Sequence, residues 1–117
     1  MEIDFSWIKQ ITDDIIQLVH PLRIVFFGSV VRGESNATSD IDLLVVMPEG
    51  THRRHTAQFL YRKIRGVSIP FDLIVATPSD LEKHKNNPGL IYKTILEEGK
   101  DVYAKSEKQK KGQVYKV

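Results

Sequence analysis

Two aspartates stand one residue apart in Asp40-Ile41-Asp42, at the mouth of an apolar run, Leu43-Leu44-Val45-Val46. On a strand, side chains two apart share a face. Two carboxylates on one face repel unless a cation sits between them. Hard oxygen ligands on a rigid strand suit Mg²⁺. The run that follows is apolar at every position, so the pair belongs at the strand's rim, beside a cleft. Taken alone, Asp-x-Asp reads better as a turn cap followed by a solvated strand end.

The preceding residues shift that balance. An apolar run, Ile24-Val25-Phe26-Phe27, ends at Gly28-Ser29, and residues 29–32 fit a short helical turn. Backbone amides exposed after such a break can hold a phosphate. Gly28 permits close backbone approach, and the Ser29 hydroxyl adds a donor. Arg32 lies one turn further on and reaches either a phosphate or a carboxylate. An ordinary turn at Gly28-Ser29 and a surface ion pair at Arg32 explain each feature singly. Together they must explain phosphate-binding and cation-binding features on adjacent strands.

The elements that would position these groups follow from periodicity. Residues 5–19 form an amphipathic helix, with Ile8, Ile11, Ile15, Leu18 and Val19 on one face and His20-Pro21 as its stop. Trp7 and Phe5 would pack it onto the sheet. Residues 23–27 form a strand apolar on both faces, hence central. Residues 34–39 form a polar loop and 41–47 a second strand. Thr51 is the expected cap of a helix over 52–65 that ends at Gly66. Its buried side is Ala57, Leu60, Tyr61 and Ile64; Arg53, Arg54, Arg62, Lys63 and Arg65 lie opposite. Phe71–Ala76 is a third strand, with Pro70 at its start. Thr77-Pro78-Ser79-Asp80 supplies cap, N1 proline and N3 acid for a helix over 78–86. After Asn86-Asn87-Pro88-Gly89 comes a helix over 89–98, striped by Leu90, Ile91, Ile95 and Leu96 and capped by Gly99. Residues 101–104 are a last short strand. The lysines at 105, 108, 110, 111 and 116 mark a basic, flexible tail.

Gly28-Ser29-x-x-Arg32-Gly33-x(5)-Ser39-Asp40-x-Asp42-Leu43 resembles the signature of the DNA polymerase β-like nucleotidyltransferase superfamily. Every fixed position of that signature is present. The stretch Ile91–Tyr103 looks more narrowly like the minimal nucleotidyltransferases found in HEPN–MNT toxin–antitoxin modules. The resemblance implies an α+β nucleotidyltransferase fold: a mixed sheet of about four strands with helices packed against it. It implies one domain over residues 1–104, followed by the 105–117 tail. It also implies a third carboxylate on a later strand. Asp72, at the start of the third apolar run, fits that role, although without the resemblance it reads as a strand-end aspartate. Asp40, Asp42 and Asp72 would then be catalytic and hold two Mg²⁺ ions. Gly28, Ser29, Arg32 and Ser39 would bind the nucleotide, with ATP as donor. The implied reaction moves AMP onto a hydroxyl, in this setting a tyrosine of a HEPN-domain toxin, which makes the chain an antitoxin.

The remaining residues bound this reading. With no cysteine, disulfides and thiolate metal sites are excluded. No apolar run approaches the roughly 20 residues of a membrane span. The amino terminus lacks signal-peptide character, so a cytoplasmic protein is expected. A net charge of +2 is too small to argue for nucleic-acid binding. A homo-oligomer is compatible with the sequence. His52 and His55 share a helix face, but no third ligand is close in sequence, so a solvated basic face is the simpler reading. The alternative is that these arginines dock an acidic partner or an RNA backbone. From another functional class, a non-catalytic antitoxin or nucleotide-binding protein could neutralise its partner by complex formation alone. The intact aspartate set argues against it.

Overall fold

A computed structural model of the chain describes residues 5–27, 41–66, 71–84 and 91–105. The expected helical turn at 29–32, the polar loop 34–39, Pro70, the Asn86–Gly89 break and the tail from 106 lie outside the described residues. Eight elements follow in order: α1 (Phe5–Val19), β1 (Arg23–Phe27), β2 (Ile41–Val46), α2 (Arg53–Lys63), β3 (Phe71–Ala76), α3 (Pro78–His84), α4 (Ile91–Glu98) and β4 (Lys100–Ala104). The strands form one sheet in the order β3-β2-β1-β4. β1 is antiparallel to both neighbours, and β2 runs parallel to β3. The fold is the expected α+β mixed sheet, and β1 is central.

The two faces of the sheet bury separate cores. Ile24, Phe26, Ile41, Leu43, Val45, Leu73 and Val75 meet Ile8, Ile11 and Ile15 of α1 and Leu60 of α2. On the other face, Val25, Phe27, Leu44, Val46 and Ala76 meet Leu81 of α3 and Ile95 of α4. The alternation along each strand produces this division. Trp7 packs against the first core, as its position on α1 suggests. Each fully buried Ile on α1 contributes about 1.5–3 kcal/mol relative to exposure.

Local chemistry sets the element ends. α1 stops at His20, which takes φ 51° while its N–H donates to Ile16 O at 3.1 Å. Histidine tolerates this left-handed geometry better than bulky residues, and Pro21 prevents further helix. The expected Thr51 cap on α2 is incorrect. The Thr51 hydroxyl donates instead to Pro48 O at 2.7 Å, closing a turn through Gly50 at φ 88°. His52 is the cap: its Nδ1 accepts from His55 N–H at 3.2 Å. The helix ends at Ile64, whose N–H donates to Leu60 O at 2.9 Å, two residues before Gly66.

α3 begins with a reciprocal capping box. Thr77 N–H and Oγ1 both donate to Asp80 Oδ2 at 3.0 Å, while Asp80 N–H donates to Thr77 Oγ1 at 3.4 Å. Glu49 Oε2 also accepts from Ser79 N–H and Oγ at 2.7 Å. The hydrogen bond from Thr77 N–H is the largest influence lowering the Asp80 pKa. Burial opposes it, and the Thr77 hydroxyl, Arg53 and His84 reinforce it.

Gly99 terminates α4 by a different device from a left-handed cap. Its N–H donates to Ile95 O at 2.8 Å, and the space over its Cα is filled. A Cβ there would collide with Val25 Cγ1 and lie 2.6 Å from Ile95 O. The turn from α4 into β4 therefore presses directly on β1. β4 itself carries a bulge: Ile24 pairs with Tyr103 and Val25 with Asp101. The extra residue turns Val102 and Tyr103, consecutive in sequence, into the same core.

Two outcomes are expected. Gly99→Ala should destabilise the fold by about 1–3 kcal/mol through overpacking, read as a lower urea midpoint with an unchanged slope. The Asp80 carboxylate is held below the unfolded value of about 3.9. Its contribution is therefore present above that pH and lost as pH falls through the lower folded value. Asp80→Asn should cost about 1 kcal/mol at pH 7, and the urea midpoints of the two proteins should converge as acid protonates Asp80 in the folded protein.

Candidate active site

Asp42 is the second residue of β2, and Asp72 the second residue of β3. The parallel ladder pairs them directly, Asp42 with Asp72, between the pairs Ile41–Phe71 and Leu43–Leu73. Paired residues on neighbouring parallel strands point to the same face, with backbones about 4.8 Å apart. Thirty residues of sequence separation thus become one strand spacing. Both aspartates occupy the rim: Asp72 is exposed and Asp42 half-buried, whereas the strands beyond them are largely buried. Their face is the α3/α4 face, because Leu44 and Val46 share it.

Phe27 stands on the far side of Asp42. It pairs with Asp42 across the β1–β2 ladder and is 8% exposed. Asp42 therefore sits between an aromatic ring at the end of β1 and a second carboxylate on β3. The sequence identified Phe27 only as strand interior; its place beside a carboxylate comes from the antiparallel register.

Tyr61 was expected to belong to the buried side of α2. It is instead 44% exposed, its ring stacks on Phe71 at 5.7 Å, and its hydroxyl accepts from Leu73 N–H at 2.7 Å. β3 is an edge strand, so this bond ties α2 to the outer side of the strand that carries Asp72. An amphipathic pattern places the ring but gives no sign of the hydroxyl's task.

Asp40 and the nucleotide-binding candidates Gly28, Ser29, Arg32 and Ser39 lie outside the described residues. Among the described residues, no three of His, Cys, Asp or Glu gather as a metal site. The histidine pair is structural in this sense: His52 and His55 stack at 3.7 Å, and His52 serves as a helix cap. Asp80 and Asp101, the other acidic candidates near strand ends, are committed to the capping box and to a 2.7 Å ion pair with Arg23. That leaves Asp42 and Asp72 as the convergent carboxylates. Their donor set is all oxygen, on two rigid strands at an open rim, which fits a hard divalent cation.

Residues 8–102 match the family model of the nucleotidyltransferase domain. The chain belongs to that family. Its fold also aligns with two crystal structures. A protein from Sulfolobus solfataricus described as a nucleotidyltransferase aligns over 92% of this chain and 83% of its own, with TM-score 0.59 and 22% identity. A toxin–antitoxin protein crystallised with AMP-PNP aligns over 92% of this chain and 79% of its own, with TM-score 0.56 and 19% identity. Identities this low establish the shared fold. A comparison with curated protein sequences gave no significant match.

In this nucleotidyltransferase domain, like charges on paired strand positions oppose each other. Asp72→Asn should therefore raise the stability of the metal-free protein by about 0.2–1 kcal/mol. Urea unfolding in EDTA measures this; an unchanged or lower midpoint would show that the two carboxylates do not repel.

Proposed function

We propose that this nucleotidyltransferase transfers AMP from ATP to a hydroxyl of a partner protein, a tyrosine of a HEPN-domain toxin, and so acts as its antitoxin. The observation that carries this reading is the in-register pairing of Asp42 with Asp72 on one face at the sheet's rim. The family supports nucleotidyl transfer. The fold neighbour crystallised with AMP-PNP is a toxin–antitoxin protein, which favours an adenine nucleotide and a toxin partner. Among the described residues no helix is long and apolar enough to cross a membrane; we place the reaction in the cytoplasm.

In this proposal Asp40, Asp42 and Asp72 hold two Mg²⁺ ions, and Gly28, Ser29, Arg32 and Ser39 bind the nucleotide. Magnesium bound there supplies neutralisation of phosphate charge and acidification of the attacking hydroxyl. The hydroxyl oxygen bonds to the α-phosphorus, the bond to the bridging oxygen breaks, and pyrophosphate leaves. Asp72, the more exposed carboxylate, faces the incoming acceptor and orients or accepts its proton. Gly28 and Ser29 amides, with the Ser29 hydroxyl, hold the triphosphate. The Asp42 backbone is held between Phe27 of β1 and Asp72 of β3 by the two ladders. Catalysis here is positioning and electrostatics, with no covalent enzyme intermediate.

The test is incubation with α-labelled ATP, Mg²⁺ and the protein encoded beside this one. Label should appear on the partner and should fall at least about 100-fold in Asp42→Asn and in Asp72→Asn, a loss of the size expected when a group stabilising transition-state charge is removed. Asp80→Asn, remote from the rim, should transfer normally. A tight complex with no transfer from any nucleotide would overturn the enzyme in favour of a non-catalytic antitoxin.

A further inference from the structure

At the opposite end of β3 from Asp72, an open groove is lined by Thr51, His52, Arg53, Arg54 and Val75. Its floor is the outer edge of the sheet. Met47 N–H donates to Ala76 O at 2.7 Å, so the backbone of Ala76 faces β2. Alternation then turns the N–H and C=O of Val75 outward, as it turns those of Leu73. Leu73 N–H is occupied by the Tyr61 hydroxyl. Val75 is thus left presenting both a donor and an acceptor to the groove. One residue of an added antiparallel strand can satisfy both.

The walls are cationic. α2 contains no acidic residue, and Arg53 and Arg54 open it. Arg53 lies 3.4 Å from Asp80. Among the described residues, Arg54 has no carboxylate partner and is exposed. The stacked His52–His55 pair holds this turn of α2 in place. An unsatisfied strand edge beside unpaired arginine calls for a ligand that offers main-chain hydrogen bonds and negative charge together. A nucleic-acid backbone offers the charge but no peptide groups. The nearby aromatic pair, Tyr61 and Phe71, is stacked on itself rather than open to bases.

We propose that the outer edge of β3 at Val75, flanked by Arg53 and Arg54, docks an extended acidic segment of a partner protein as an added strand. The site is distinct from the carboxylate pair: Val75 is three residues from Asp72, about 10 Å along the strand. Docking at Val75 and transfer at Asp72 are therefore separable.

A fluorescent peptide alternating glutamate and valine is the probe, titrated against the full chain by anisotropy. Three competitors accompany it: the same peptide with lysine for glutamate, the same peptide N-methylated at alternate amides, and a single-stranded RNA of equal charge. The acidic peptide should bind, and the lysine and N-methylated forms should bind at least about tenfold more weakly. Arg54→Glu should weaken the acidic peptide by a similar factor, with unchanged circular dichroism and unchanged thermal midpoint. Asp72→Asn should leave binding intact even where transfer is lost. Binding that survives N-methylation, RNA binding tighter than peptide, or no peptide binding at millimolar concentration would each overturn the proposal. Arg53→Gln provides an independent check, since it removes a second groove cation while leaving Arg54; unaltered affinity in both variants would also overturn it.

Discussion

Between β2 and β3 the ladder runs without a break from Ile41–Phe71 to Val46–Ala76, and the rim chemistry depends on that register. A slip of one residue would turn Asp72 to the opposite face, towards α1 and α2. Several interactions act together against such a slip. Leu43 and Leu73 are buried side by side beneath one helical layer, and Val46 with Ala76 beneath the other. Met47 N–H extends the ladder one step to Ala76 O. The α3 capping box anchors the chain just beyond β3, and Tyr61 grips its outer side at Leu73. Two carboxylates that would rather separate are thus held by a hydrophobic ladder that continues past them.

Much of this was legible before any coordinates. α1, β1 and β3 have the expected bounds because periodicity and stop signals agree there: Ile8, Ile11 and Ile15 repeat helically, and His20-Pro21 ends the repeat. Thr77 through Asp80 reads as a helix start and behaves as one in every hydrogen bond. What the sequence hid was partner choice. Thr51 and His52 are both able to cap α2, and only the turn from Pro48 through Gly50 decides that the threonine is already engaged. Gly99 reads as an ordinary helix terminator, yet its necessity comes from Val25, seventy-four residues away in sequence. For the rim, residue types and spacing pointed to Asp42 and the family resemblance to Asp72, while their adjacency rests on a parallel pairing that no local pattern encodes. The motif residues Gly28, Ser29, Arg32, Ser39 and Asp40 were the most legible in sequence and are the ones the described structure leaves unplaced.

The proposed catalytic carboxylate and the proposed docking edge lie on one strand, β3. At its start β3 carries a charged side chain out of the plane of the sheet, beside Asp42 in the ladder. Three residues later its main chain faces sideways into a cationic groove. The change is geometric rather than compositional, since a strand presents side chains perpendicular to the sheet and peptide groups within its plane. Tyr61 sits between the two regions and keeps them apart by consuming the one outward donor that lies between them.

The bulge in β4 has a consequence for the sheet's other border. By placing Val102 and Tyr103 inward together, it interrupts the regular spacing of outward peptide groups that a pairing strand would need. The cross-strand pair of Arg23 and Asp101 adds charge at the same place. Such irregular, charged borders resist edge-to-edge association. The molecule is therefore sided: β-type self-assembly is discouraged along one margin, so any chain seeking to extend the sheet is directed to the other. This asymmetry acts as a polarity signal, and it limits how many copies could join in a row to one contact per protomer.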